Sequence, residues 1–187
     1  MTDIHFSQPE RRSYLIPALI VLVVVGIVAG LIYRFTPHHV AEITVTHVDI
    51  LPNHTVFHTD SIKVGAQDAT EDDLYVVATV RVQDQLKLPI FIKDFTGTLT
   101  ASDGGEVTSS AVEKRDLPSL YMSFPKLKPM VGPLLERETS IQPGQTAEGV
   151  VVLHFPVTQE IWDKRTEATI TVDTYHQGPF TIPLPKP

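Results

Sequence analysis

The chain has 187 residues, carries 22 acidic against 15 basic side chains and contains no cysteine. The absence of cysteine excludes disulfides, thiolate nucleophiles and cysteine-linked lipid anchors. Residues 1–39 carry a net charge of +1 and the remainder −8, so the larger part of the chain repels phosphate backbones. Nucleic acid is therefore not expected as a partner.

An uncharged run at residues 15–32 dominates the N-terminal part. As a helix it would be about 27 Å long, close to the roughly 30 Å hydrocarbon core of a bilayer. This pattern predicts a transmembrane helix over residues 14–33, a short cytoplasmic tail over 1–13 and a tether over 34–41. Because Arg11 and Arg12 precede the run and only Arg34 closely follows it, we expect the N-terminus in the cytoplasm and the domain outside.

A cleavable signal peptide is the alternative interpretation of this layout. The apolar run is longer than the usual signal core of about 7 to 15 residues, and Ala29 offers a poor cleavage site. We therefore predict an uncleaved signal-anchor in the cell (inner) membrane. Gly26 and Gly30 form a Gly-x-x-x-Gly spacing, which allows close helix approach and suggests a possible homodimer.

The first strands of the domain are predicted from alternating apolar residues. Residues 43–50 form a strand with a bulge near Thr46 and His47, and Pro52 ends it. Residues 74–82 are apolar on nearly both faces, which is typical of a central strand. Residues 95–101 and 106–113 form a hairpin around the turn at 102–105.

The C-terminal part continues the β pattern. The pattern of residues 148–157 predicts a second central strand. Residues 158–164 are predicted to form a helical turn, which Thr158 caps and in which Trp162 faces the core. Residues 168–175 and 180–184 complete the sheets. Seven or eight short strands with one helical turn predict an all-β fold, an antiparallel β-sandwich over residues 42–187.

A proline-rich segment at residues 115–135 interrupts this pattern, because four prolines leave no room for a strand or long helix. Its apolar side chains either cover the sandwich or contact a protein partner. For the second case the candidate partner-binding residues are Tyr121, Met122, Phe124 and Met130.

The candidates for a metal site are histidines near the membrane, His38, His39, His54 and His58. In an extended chain His54 and His58 lie about 13 Å apart, too far for one ion. We therefore expect exposed histidines that bind no metal, and no cofactor. The acidic run at residues 71–73 is interpreted as solvated loop charge.

One stretch carries a resemblance to a known group of domains. The turn at residues 142–145, followed by Gly149 and a strand that ends at residues 153–157, resembles the pattern of small bacterial immunoglobulin-like domains carried behind a membrane anchor. The strand at 74–82 and the hairpin after it are similar to the earlier part of that pattern. The resemblance implies a surface-displayed immunoglobulin-like sandwich, usually a non-enzymatic envelope module, with no cofactor and no specific ligand.

No common catalytic or nucleotide-binding motif occurs in the sequence. We therefore expect a membrane-anchored structural or protein-interaction module of the cell envelope that is not an enzyme. The alternative is a metal- or small-ligand-binding domain that uses the juxtamembrane histidines. An enzyme with an unrecognised site is a third interpretation.

Overall fold

The computed structural model describes residues 15–35, 41–57 and 69–186. These residues belong to two separate units, one around an N-terminal helix and one that contains the strands. The helix, α1 (Leu15–Phe35), runs two residues beyond its predicted end. With a mean hydropathy of 3.1, it is long and apolar enough to cross a membrane.

The second unit is built from antiparallel strands. Its described residues form β1 (Ala41–Phe57), β2 (Ala69–Asp84), β3 (Ile90–Thr100), β4 (Glu106–Ser110), β5 (Ser140–Ile141), β6 (Thr146–Phe155), β7 (Glu167–Thr174) and β8 (Phe180–Pro183). Two short helices, α2 (Leu117–Ser123) and α3 (Gln159–Asp163), and a 3-10 turn at Pro125–Leu127 join them. Sheet I has the order β1-β2-β6; sheet II has the order β4-β3-β7-β8, with β5 also paired to β3. The predicted all-β antiparallel sandwich is confirmed.

The main core lies between the two sheets. Alternate residues of the long strands point into it, as period-two patterning requires. They include Leu74, Val76, Ala78, Val80 and Val82 of β2, Val151, Leu153 and Phe155 of β6, Phe95 and Leu99 of β3, and Ala168, Ile170 and Val172 of β7. The predicted hairpin is also present, since β3 and β4 pair from Thr96 opposite Ser110 to Thr100 opposite Glu106.

Strand β1 confirms one prediction and corrects another. Its register with β2 shifts between Val45 and His47, where the bulge was predicted. Pro52 does not end the strand, because it stands opposite Leu74 and pairing continues to Phe57. On the outer strand of a sheet, every second N–H points away from the neighbouring strand, so proline at such a position removes no ladder hydrogen bond.

Strand β2 overturns the interpretation of the acidic run as loop charge. Residues 71–73 lie inside β2, and Asp73 is only 8% exposed. Because the apolar pattern begins only at Leu74, the predicted strand starts later than the observed one, which begins at Ala69. The predicted central position of β2 in its sheet is confirmed.

Strand β6 lies at the end of sheet I, although the sequence predicted a central strand. Its free edge is covered by isolated bridges, from Ala111 to Leu153 and from Leu134 to Val150. Irregular segments therefore take the place of a neighbouring strand. β6 is apolar on both faces because alternate residues face the main core, while Val150 and Val152 belong to a second buried cluster on the outer face.

Helix α3 forms where the sequence predicted a helical turn. Thr158 caps it, with its Oγ1 accepting a hydrogen bond from the Ile161 N–H at 3.3 Å. Trp162 is fully buried, and the guanidinium carbon of Arg165 lies 3.9 Å from the centroid of its ring. Arg165 is 2% exposed and donates to the carbonyls of Trp162 and Pro185. Its burial lowers the pKa of the guanidinium below the ordinary value.

Candidate functional site

The proline-rich segment folds over the outer face of sheet I. We call residues 117–135, which contain α2 and the 3-10 turn, the cover. Beneath it lies a second buried cluster formed by Tyr75, Val77, Val150 and Val152 of the sheet with Leu127 of the cover. The cover therefore buries an apolar sheet face, which is the first of the two roles that the sequence left open.

The four candidate partner-binding residues occupy different environments within the cover. Tyr121, Phe124 and Met130 are half-buried and pack against the second cluster. The Phe124 ring lies 4.8 Å from the Tyr75 ring, centroid to centroid. Met122, by contrast, is 79% exposed. Partner binding stays a prediction, and Met122 is the one of these side chains that is fully available to a partner.

A polar cluster lies beside the cover on the same sheet face. His154 Nε2 is 2.5 Å from Asp73 Oδ1, and its ring stacks on Tyr75 with the centroids 4.9 Å apart. Ser109 Oγ accepts a hydrogen bond from the His154 backbone N–H rather than contacting the imidazole. Within the described residues, no serine, threonine or tyrosine hydroxyl is hydrogen-bonded to the His154 imidazole, so the ring is not paired with a hydroxyl nucleophile there.

Sequence reasoning missed this cluster for a specific reason. His154 lies in an apolar run whose pattern indicates a fold signature, and the acidic run that contains Asp73 is typical of a loop. The alternation of β6 did carry a signal, because Val151, Leu153 and Phe155 face the main core and His154 must then face outward.

We expect Tyr75 to make folding stability sensitive to alkaline pH. Burial, followed by the negative charges of Asp73 and Glu71, raises the pKa of the Tyr75 hydroxyl to about 12. In the unfolded chain this group ionises near pH 10. The free energy of unfolding should therefore fall as the pH rises from about 10 to about 12. Denaturant unfolding at pH 9 and pH 11 should show a smaller loss in Tyr75→Phe than in the wild type.

The matched control for this prediction is Tyr175→Phe, since Tyr175 is 51% exposed. It should retain the alkaline loss of the wild type. Equal losses in the wild type and in Tyr75→Phe would contradict the prediction.

The cover joins the sandwich through two segments, residues 111–115 and 134–138, which we call the neck. The neck segments are held to β6 by hydrogen bonds from the Val112 N–H to the Val152 carbonyl, 2.8 Å, and from the Leu135 N–H to the Val150 carbonyl, 3.0 Å. A cavity of about 470 Å³ opens between them. Its apolar lining includes side chains that belong to the sandwich itself, among them Phe95 and Val151.

Ion pairs brace the neck from one segment to the other. Glu113 pairs with Arg137 at 2.8 Å, and Lys114 pairs with Glu136 at 2.7 Å. Arg137 also reaches Asp94 of β3 at 3.2 Å. These ion pairs thus link the two neck segments to each other and to β3.

The juxtamembrane histidines fall largely outside the described residues, which is where His38, His39 and His58 lie. His54 is described, and its Nδ1 lies 2.7 Å from Asp72 Oδ1 in an exposed hydrogen-bonded contact. Across residues 15–35, 41–57 and 69–186, no group of three or more histidine and acidic side chains is placed to hold a metal ion.

The predicted helix contact remains a prediction. Gly26 and Gly30 lie one turn apart on α1, and a Cβ added at either glycine would meet no described atom within 4 Å. Homodimerisation through this spacing has no further support in the structure.

Comparison with known proteins finds distant structural similarity and no sequence match. No protein-family profile and no curated protein matches the sequence. An uncharacterized β-sandwich protein from Clostridium difficile 630 is 12% identical, with a TM-score of 0.39, over 80% of this chain and 89% of that chain. A functionally unknown protein from Listeria monocytogenes EGD-e is 12% identical, with a TM-score of 0.38, over 78% and 88% respectively. A conserved hypothetical protein from Bacillus anthracis is 10% identical, with a TM-score of 0.28, over 78% and 99%.

Proposed function

We propose that the chain is a single-pass membrane protein that displays an immunoglobulin-like domain outside the cytoplasm as a non-catalytic interaction module of the cell envelope. The observation that carries the interaction role is the cover, which presents Met122 at 79% exposure beside the half-buried Tyr121, Phe124 and Met130. Methionine and aromatic side chains are enriched at protein interfaces.

The membrane part of the proposal is supported by α1. It is uncharged until Arg34, and the balance of arginines at its two ends favours a cytoplasmic N-terminus. Its length exceeds that of a signal core, which favours retention over cleavage.

The strand order supports the immunoglobulin-like assignment. β1, β2 and β6 correspond to strands A, B and E of such a sandwich, and β3, β7 and β8 to strands C, F and G. β4 then occupies the C′ position beside strand C, as in variable-type domains. A domain of this kind acts through its surface.

Photo-crosslinking in intact cells tests the interaction role. Because the chain has no cysteine, Met122→Cys can carry a thiol-linked photo-crosslinker at a single site. We expect a discrete adduct with a protein partner from position 122. Thr108→Cys is the matched control, since Thr108 is exposed on the opposite sheet. The same adducts from both positions, or none from position 122, would contradict the proposal.

Aspartate substitutions separate binding from packing. Met122→Asp should change the free energy of unfolding by no more than about 0.5 kcal/mol, because an exposed side chain has little packing to lose. Met122→Asp should also abolish the partner adduct. This is tested by combining it with Ser119→Cys, which carries the crosslinker at another exposed position of α2. Phe124→Asp removes a half-buried ring from its contact with Tyr75 and partly desolvates a carboxylate there, which should cost about 1–2 kcal/mol. Denaturant unfolding of both variants measures the difference.

A further inference from the structure

Five residues that line the neck cavity have backbone N–H groups without an acceptor among the described residues. Among the described residues, no acceptor receives the backbone N–H groups of Glu113, Lys114 and Arg115 on one side or those of Glu136 and Arg137 on the other. All five residues line the cavity of about 470 Å³. Clustered backbone N–H groups in turns form sites for anions, including peptide carboxylates.

A cationic side chain at the mouth adds to these donors. Arg115 is 78% exposed and reaches Glu113 only through its Nε, at 2.8 Å. The Nε also lies 3.8 Å from Asp116 Oδ1, and neither terminal nitrogen makes a hydrogen bond within the described residues, so both can donate to a carboxylate. Arg115 thus adds a positive charge to the backbone donors of the cavity lining.

Part of the cavity lining is apolar, and the lining also carries three glutamates. Val112, Leu134 and Val150 line the interior, so a ligand with an apolar side chain next to its carboxylate would bury that side chain there. Glu138 lies in the lining, has no ion-pair partner among the described residues and holds a positive φ of 62°. Backbone strain of this kind clusters at functional sites.

We propose that the neck cavity binds the free carboxyl terminus of a protein chain that ends in an apolar residue. The carboxylate contacts Arg115 and the unused N–H groups, the last side chain lies on the apolar part of the lining, and a basic residue further upstream pairs with Glu138. The inference rests on the proposed interaction role and names the site and partner chemistry for it.

Peptide binding to the full chain in nanodiscs tests this assignment. The probes are acetylated hexapeptides with an upstream lysine that end in valine, leucine, phenylalanine or serine, each made as the free acid and as the C-terminal amide. We expect the apolar free acids to bind and their amides to bind at least about tenfold more weakly, because charge-assisted hydrogen bonds are lost. The serine-ended acid should bind about fivefold more weakly than the valine-ended one, because it buries less apolar surface.

Variants of the protein locate the site. Arg115→Gln should weaken the free acids about tenfold and leave the amides unchanged. Lys164→Gln removes an equally exposed cation of the i,i+4 pair on α3 and should change neither. Circular dichroism of both variants should match that of the wild type.

Three results would overturn the proposal. They are equal affinity for acids and amides, no binding of any peptide at 1 mM, and binding of decanoate without binding of peptides, which would indicate a fatty carboxylate site. If no peptide binds but position 122 still forms its adducts, the cavity is not the binding site and the proposed interaction role stands. If the peptides bind but position 122 forms no adducts, the cover is not the surface that contacts the partner.

Discussion

Replacing Trp162 with alanine is expected to lower the free energy of unfolding by about 3–5 kcal/mol, the usual cost of deleting a large buried aromatic side chain. Trp162 is fully buried in the main core, with its ring centroid 6.1 Å from that of Phe155. The substitution also removes the ring that covers Arg165, a guanidinium that is 2% exposed. A buried cation without that ring is harder to accommodate, which places the effect at the upper end of the range.

The matched control is Ile161→Ala on the same helix. Ile161 is 39% exposed, so its loss should cost less than about 1 kcal/mol. Urea unfolding of the two variants, with equal m-values, measures the difference. A cost below about 1 kcal/mol for Trp162→Ala would contradict the position of Trp162 in the core.

Gly149→Ala is expected to destabilise the neck by about 1–3 kcal/mol, as overpacking does. A Cβ at position 149 would lie 2.6 Å from the backbone nitrogen of Leu135 and 2.9 Å from the carbonyl carbon of Leu134. Both are backbone atoms, so the neck segment itself must move. We expect the Leu135 amide, which donates to the Val150 carbonyl, to lose protection from hydrogen exchange.

Gly132→Ala is the control for this glycine, because it lies in the same part of the chain. An added Cβ there would meet only the Val150 side chain, at an ordinary 3.5 Å. Its effect should be neutral or slightly stabilising, since alanine restricts the unfolded chain. If both variants lost the same stability, close approach at Gly149 would not be the cause.

The sequence was informative wherever a strand alternates cleanly or a turn residue stands alone. The bulge before His47, the hairpin after β3 and the Thr158 cap follow from local chemistry and are confirmed. The prediction that Pro52 ends β1 was wrong, because proline disrupts a strand only where its nitrogen faces a neighbouring strand. Whether such a neighbour exists depends on the arrangement of the sheet and not on the local sequence.

The candidate site was harder to predict, because it depends on contacts between distant segments. The proline spacing excluded regular strands at 115–135, and the sequence left open where the apolar side chains of this segment would pack. The pairing of Glu113 with Arg137 joins residues 24 positions apart. Asp73 belongs to an acidic run that is typical of a loop, and its partner His154 lies 81 positions further along the chain. No local pattern encodes such pairs.

The direction of display is tested most directly by labelling single cysteines with a membrane-impermeant maleimide. Ser102→Cys lies in the exposed turn between β3 and β4, and Ser7→Cys lies in the tail before the apolar run. In intact cells we predict labelling at position 102, and at position 7 only after permeabilisation, with both variants retained in the membrane fraction. Labelling of position 7 in intact cells, or of position 102 only after permeabilisation, would contradict the proposed display outside the cytoplasm.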